Sequence, residues 1–103
     1  MSYARVTMTQ VQPETVDAGI ESFRSQVLET ARSLPGYKGA SLLLDRANGR
    51  AIGMSFWESE QALADASARM DEARAETLRT MGVDPSGLPS ADVYEVVVDD
   101  YDV

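Results

Sequence analysis

Apolar residues recur along this chain first at every second position and then at every third or fourth, and the alternation repeats. Ala4, Val6 and Met8 alternate with Arg5, Thr7 and Thr9, the period of a strand, and predict a first strand over residues 4–11. Gln12, Pro13 and Glu14 end it, and Pro13 suits the first turn of a helix, where its missing N–H leaves nothing unpaired. Val16, Ile20, Phe23, Val27, Ala31 and Leu34 then fall at helical steps on one apolar stripe, which predicts a helix from residue 13 or 14 to residue 33. Glu14 and Asp17 stand near its positive end and Arg32 near its negative end, as the helix dipole favours. Leu34-Pro35-Gly36 stops it.

The stretch that follows organises the rest. Two apolar runs, residues 37–44 and 50–57, flank Arg46-Ala47-Asn48-Gly49, and Asn-Gly between such runs signals a hairpin because both residues tolerate positive φ. Leu42, Leu43 and Leu44 are consecutive, so both faces of the second strand read as buried. In the third strand Ile52, Met54 and Phe56 face one way, while Ala51, Gly53, Ser55 and Trp57 face the other. Ser59 is a good N-cap with Glu60 behind it, and helical pattern persists to Met81 and Gly82, with a break near Met70 and Asp71 allowed if Asp71 recaps a second segment. Residues 83–91, with Pro85, Gly87 and Pro89, read as a loop, and residues 92–98 as a last strand, apolar on both faces at Val96-Val97-Val98.

The order strand, helix, strand, strand, helix, strand is the split pattern of a ferredoxin-like α+β domain, βαββαβ, with a four-stranded antiparallel sheet. Right-handed crossovers place both helices on one face of that sheet and leave the other bare. Apolar residues on both faces of the strands therefore predict a second copy on the bare face, as a homodimer in the form of a dimeric α+β barrel.

Composition narrows the chemistry. A chain of 103 residues, 44% hydrophobic and 25% charged, has the size and make-up of a single globular domain spanning residues 1–103. Its formal charge of −8 repels nucleic acid and anionic lipid, and Arg69, Arg74 and Arg79 are interleaved with Asp71, Glu72 and Glu76 rather than forming a basic patch. With no Cys and no His, disulfides, thiolate chemistry and the commonest general base, metal ligand and haem ligand are absent. No signal-peptide pattern or membrane-length apolar run is present, so the expected place is the cytoplasm, with neither nucleic acid nor membrane as partner. No phosphate-binding glycine loop, nucleophile elbow or zinc spacing occurs.

The order of elements, the helix end Leu34-Pro35-Gly36-Tyr37 and the hairpin running into Trp57-Glu58-Ser59-Glu60-Gln61-Ala62 resemble the antibiotic biosynthesis monooxygenase family, over residues 3–98. The resemblance implies a dimeric α+β barrel. In members that oxygenate aromatic polyketides without a cofactor, the pocket lies between helices and sheet. The Trp of this motif lines it, with an Asn four positions earlier and a Tyr six positions later. Trp57 matches that Trp, whereas the other two positions hold Gly53 and Leu63, so two of the three polar groups of the pattern are missing. Members that degrade haem use a His on the second helix; this chain has none, and the resemblance implies no haem.

Function is thus expected in one of two classes. One is a cofactor-independent monooxygenase, needing no cofactor, that acts on a small aromatic or polyketide-like compound. The other is a non-catalytic dimeric module of the same fold that binds a small ligand or assists a partner enzyme. The candidate binding residues are Trp57, Ser55, Gly53, Phe23 and Leu63, with Val27 and Met70 also in the roof. Each has a plainer reading. Trp57 is either a substrate wall or a core residue at a strand–helix corner; Gly53 and Ser55 either floor a cavity or allow close helix packing. Arg5, Thr7 and Thr9 line a pocket, meet a dimer partner or edge the core, and Tyr37 and Tyr94 either orient a phenol or serve strand propensity. Glu58-Ser59-Glu60 reads as helix capping, and Asp99, Asp100 and Asp102 as a solvated acidic tail.

Overall fold

The computed structural model describes residues 2–87 and 91–100. Tyr101, Asp102 and Val103 of the acidic tail, and residues 88–90 of the expected loop, lie outside the described residues. The elements are β1 (Ser2–Gln10), α1 (Val16–Ser22), a π-helical segment (Phe23–Leu28), α2 (Glu29–Arg32), β2 (Tyr37–Asp45), β3 (Arg50–Trp57), α3 (Glu60–Thr80), a short 3-10 turn (Pro85–Gly87) and β4 (Asp92–Val96). The strands form one four-stranded antiparallel sheet in the order β2-β3-β1-β4, with the helices against one face: the ferredoxin-like α+β fold.

The first helical stretch starts later than its proline suggested. The carbonyl of Gln12 accepts the N–H groups of Thr15 and Val16, so Pro13 and Glu14 form a turn ahead of α1. The wider π segment interrupts the regular winding between α1 and α2. Gly36 ends the stretch at φ 83°, and a Cβ there would lie 2.6 Å from that of Ala62, so the chain crosses the start of α3 with no room for a side chain. Its carbonyl accepts the N–H of Glu58 at 2.8 Å, locking the end of β3 to this corner.

The hairpin forms where expected, with a different turn. Gly49 alone adopts positive φ, at 66°; Asn48 does not. Both the backbone N–H and the side-chain amide of Asn48 are held by the carboxylate of Asp45, and this side-chain clamp shapes the turn in place of a left-handed Asn. A further departure lies at Lys38. A register shift between Tyr37 and Gly39 switches the side of the sheet, so Tyr37 joins Trp57 on the helix-facing side while Gly39 falls opposite Phe56.

Ser59 caps α3, its hydroxyl accepting the N–H of Ala62 at 3.0 Å, and the helix runs unbroken past Met70 and Asp71. Asp71 does not recap a second segment; it lies within the continuous α3, where its exposed carboxylate pairs with Arg5 of β1. The last strand stops at Val96, paired with Ser2 at the start of β1; Val97 and Val98 run past that pairing and are exposed.

The helix-facing core has two packed parts. One is built on Trp57, with Val27, Ala31, Leu63, Ala66, Met70 and Ala73. The other gathers Val11, Val16, Leu78 and Met81 at the opposite end. On the outer face, register places Val6, Met8, Leu43, Ile52, Met54 and Tyr94 together, and Met8, Leu43 and Tyr94 are each about half exposed.

Candidate functional site

A cavity of about 80 Å³ separates the two parts of the core. Its floor follows from strand register: Arg5 lies opposite Ser55, Thr7 opposite Gly53 and Thr9 opposite Ala51, all with side chains toward the helices. Ala51, Gly53 and Ser55 are too small to reach across the gap to the helix layer, and interiors fill such gaps only with atoms that are there to fill them. Gly53 matters most. A Cβ at this position would lie 3.0 Å from the Thr7 Oγ1 and 3.7 Å from the Phe23 ring, so a larger residue would occupy the space directly. The roof comes from Phe23 and Val27 of the π segment and from Met70, Thr77 and Leu78 of α3; Leu42 and Leu44 of β2 close one side, and Met81 one end.

The lining is apolar with a polar strip. Thr77 shares a 3.0 Å hydrogen bond with Ser22, tying α3 to α1 above the cavity. Among the described residues, the ionisable side chains in the lining are Arg5 and Arg74. Arg5 is 5% exposed and forms an ion pair with Asp71, a residue largely in solvent. Burial lowers the Arg5 guanidinium below its ordinary range; Asp71 opposes that shift and the neighbouring Arg74 adds to it. Burial likewise lowers Arg74, against the pull of Asp71. Both remain cationic at neutral pH, because an arginine does not lose its proton in proteins. Among the described residues, the cavity therefore holds hydrogen-bond donors and positive charge, and no side chain that accepts a proton near neutrality. Among the described residues, no group of three or more His, Cys, Asp or Glu is placed to hold a metal ion, and no helix is long and apolar enough to cross a membrane.

Of the residues expected to bind ligand, Phe23, Gly53 and Ser55 line the cavity, as do Val27 and Met70. Trp57 and Leu63 do not. Trp57 is fully buried in the packed cluster, with Tyr37 edge-on to it at 5.7 Å between ring centroids, and its indole N–H donates to the Ser55 Oγ at 3.0 Å. It stands behind the wall, where α3 begins and leaves no space over it. Leu63, on the first turn of α3, packs in the same cluster. Tyr94 lies opposite Ala4 on the outer face and does not reach the cavity. Arg5, Thr7 and Thr9 turn toward the helices and line the cavity rather than the bare face. Arg74 was legible only as one of several surface charges, yet it lies one helical turn after Met70 and beside Ala73, at the edge of the buried stripe.

A family model described as antibiotic biosynthesis monooxygenase matches residues 1–75. Among curated proteins, the uncharacterized protein Rv2557 of Mycobacterium tuberculosis is 33% identical over 94 residues, which is 91% of this chain and 40% of that protein. Rv2558 of the same organism is 43% identical over 61 residues, 59% of this chain and 26% of its own length. The chain thus spans about 40% or less of the curated relatives it matches. Among solved structures, a monooxygenase from the gene ActVA-Orf6 of Streptomyces coelicolor, in complex with nanaomycin D, aligns with TM-score 0.70 and 22% identity over 99% of this chain and 93% of that one. A mutant of SnoaB, a cofactor-independent oxygenase from Streptomyces nogalater, aligns with TM-score 0.66 and 13% identity over 95% of each chain. Rv0793 of Mycobacterium tuberculosis aligns with TM-score 0.68 and 14% identity over 98% of this chain and 100% of that one. At these identities the structural likeness establishes the fold.

Proposed function

The chain belongs to the antibiotic biosynthesis monooxygenase family, and from that premise we propose that it is a cofactor-independent monooxygenase acting on a small aromatic or polyketide-like compound. The observation that carries this reading is the apolar cavity between sheet and helices, walled by Phe23 and Met70 and floored by Gly53 and Ser55. In the proposed reaction the substrate supplies the reducing power. Its ionised form, a phenolate or enolate, passes one electron to O₂. The resulting radical and superoxide combine at carbon to give a peroxide. Loss of water leaves a carbonyl, so one oxygen atom ends in the product and the other in water. An apolar enclosure favours these steps by excluding solvent from the radical pair. Among the described residues no lining side chain can take the substrate's proton, so on this reading the substrate enters as the anion or releases its proton to water, and Arg5 and Arg74 stabilise the oxyanion.

The same absence of a base favours a second reading, a dimeric module of this fold that binds a small ligand without turning it over. Oxygen consumption with a panel of hydroquinones and anthrone-like phenols separates the two. Consumption with one product oxygen derived from O₂ supports the oxygenase. Saturable binding with no consumption across the panel leaves the binding module.

We further propose that the 103 residues act as one unit that pairs with a second copy through the outer sheet face. Half-exposed Met8, Leu43 and Tyr94 on that face support the pairing, since they have no covering layer in a single chain. On this reading it works in the cytoplasm, with no nucleic acid, membrane or haem partner.

A further inference from the structure

We propose that Ser55 is the hydrogen-bond donor that selects the ligand of this cavity, and that the ligand is a one-ring compound bearing an acceptor oxygen, a carbonyl or phenolic oxygen, to which the Ser55 hydroxyl donates. Trp57 is then a positioning residue that acts through Ser55. This rests on the cavity being the ligand site of the proposed function.

Ser55 is 4% exposed on the floor of the cavity. A serine hydroxyl carries one proton and two lone pairs. The indole N–H of Trp57 takes one lone pair at 3.0 Å, so the hydroxyl proton is turned away from the indole. The Trp57 ring is fully buried with Tyr37 edge-on to it, and its N–H therefore holds the Ser55 oxygen in one place. Arg5 lies opposite Ser55 in the register and offers donors only, so it cannot receive the proton either. Among the described residues the Ser55 proton meets no acceptor. The other hydroxyls of the lining differ. Thr7 reaches the Gly53 carbonyl at 3.4 Å, Thr77 shares its hydrogen bond with Ser22, and Thr9 is partly open to solvent. Ser55 thus presents a fixed, buried donor to the cavity. A buried donor left unanswered is costly, and a ligand that expels solvent from the cavity must answer it or bind weakly.

The remaining lining sets the rest of the ligand. Phe23, Val27, Met70 and Met81 present only carbon and sulfur. The free space of about 80 Å³ is smaller than the roughly 150 Å³ apolar cavity that accepts benzene. A one-ring body therefore enters with movement of the flexible Met70 or Met81 side chains, and a larger ring system does not.

Binding is measured without oxygen by calorimetry on the full chain, which keeps affinity apart from turnover. The probes are acetophenone and α-methylstyrene, which share one shape and differ by an acceptor oxygen in place of a CH₂ group. Ser55→Ala should weaken acetophenone about tenfold, the worth of one hydrogen bond, and leave α-methylstyrene within about twofold. The carbonyl stretch of bound acetophenone reads the same bond by infrared spectroscopy. In the native protein it should lie below its frequency in hydrocarbon solvent, and in Ser55→Ala it should move back up. Trp57→Phe releases the Ser55 hydroxyl to turn, so the band should move part of the way back; a Trp57 that serves packing alone would leave it in place. Ser55→Cys, a weaker donor of similar size, should also raise the frequency, and it keeps the test open if Ser55→Ala fails to fold. A bound carbonyl at its hydrocarbon frequency in the native protein, a band unmoved by either Ser55 substitution, equal weakening of both probes in Ser55→Ala, or no binding of either probe would overturn the proposal. A Ser55-dependent band with no oxygen consumption by any phenol would leave the subsite standing and remove the oxygenase. Oxygen consumption by a phenol alongside a hydrocarbon-like band would do the reverse.

Discussion

The indole N–H of Trp57 donates to the hydroxyl of Ser55 at 3.0 Å, two residues back on the same face of β3. Trp57 lies in the packed core and Ser55 in the cavity floor, so this bond joins the part of the structure that holds the fold to the part that meets a ligand. Ser55→Ala leaves a fully buried N–H unanswered and should cost about 1–3 kcal/mol, the penalty of one unsatisfied buried donor. Trp57→Phe removes donor and demand together and instead leaves a space where the larger ring was, at about 1–3 kcal/mol. Denaturant melts of the two single variants and the double variant test this: the double should be less destabilised than the sum. Additive costs would show that the bond contributes nothing.

Gly53 should govern cavity size with little effect on the fold. In Gly53→Ala the added methyl meets the Thr7 hydroxyl at 3.0 Å and approaches Phe23. Thr7 can turn aside, and alanine restricts the unfolded chain, so stability should stay within about 1 kcal/mol of the native protein. Affinity for an aromatic ligand should fall by tenfold or more. Unchanged affinity, read from quenching of the single Trp, would place the ligand elsewhere.

Leu43 tests the proposed pairing. It is 48% exposed on the outer face of β2 in a single chain, so Leu43→Asp should hardly disturb a monomer. Buried against a second copy, the unpaired charge should cost about 3–5 kcal/mol. Sedimentation should therefore find a dimer for the native chain and a folded monomer for the variant. A native chain that sediments as a monomer at all accessible concentrations would rule the pairing out.

The hairpin carries an acid-sensitive clamp. Hydrogen bonds from the side chain and then the backbone of Asn48 hold the Asp45 carboxyl below its ordinary range, with Arg50 assisting. A carboxyl lowered in the folded state stabilises it above the unfolded value, near 3.9, and that contribution is lost as pH falls through the lower folded value. Asn48→Ala should thus lower Tm at neutral pH, and the gap from the native protein should narrow as pH drops below about 4. A gap that stays constant down to about pH 2, well below the ordinary aspartate range, would contradict the clamp.

Most of the fold was legible in the chain because it rests on local signals. Period-two and helical spacing set the strands and helices, Ser59 capped α3 as its position required, and the bounds of β3 followed from Arg50 and Trp57. The two-sided apolar strands announced that a single sheet would leave one set of apolar side chains uncovered, and the structure decides which, with Leu42 and Leu44 inside and Leu43 outside. Small residues at Ala51, Gly53 and Ser55 announced a gap, because alternation places them on one face and their volumes are fixed.

Only the tertiary structure decided which residues meet that gap. Trp57 follows the small residues in sequence and shares their face, yet the start of α3 packs over it, a matter of where two elements cross rather than of periodicity. The face of Tyr37 depended on a bulge at Lys38 that no alternation pattern announces. Arg5 is far in sequence from Asp71 and Arg74, and no local pattern marks them as partners. They meet because β1 crosses beneath α3, and that long-range crossing brings two arginines of the cavity lining together with an exposed carboxylate. Local propensity fixes elements one at a time; burial and charge balance are properties of the assembled layers.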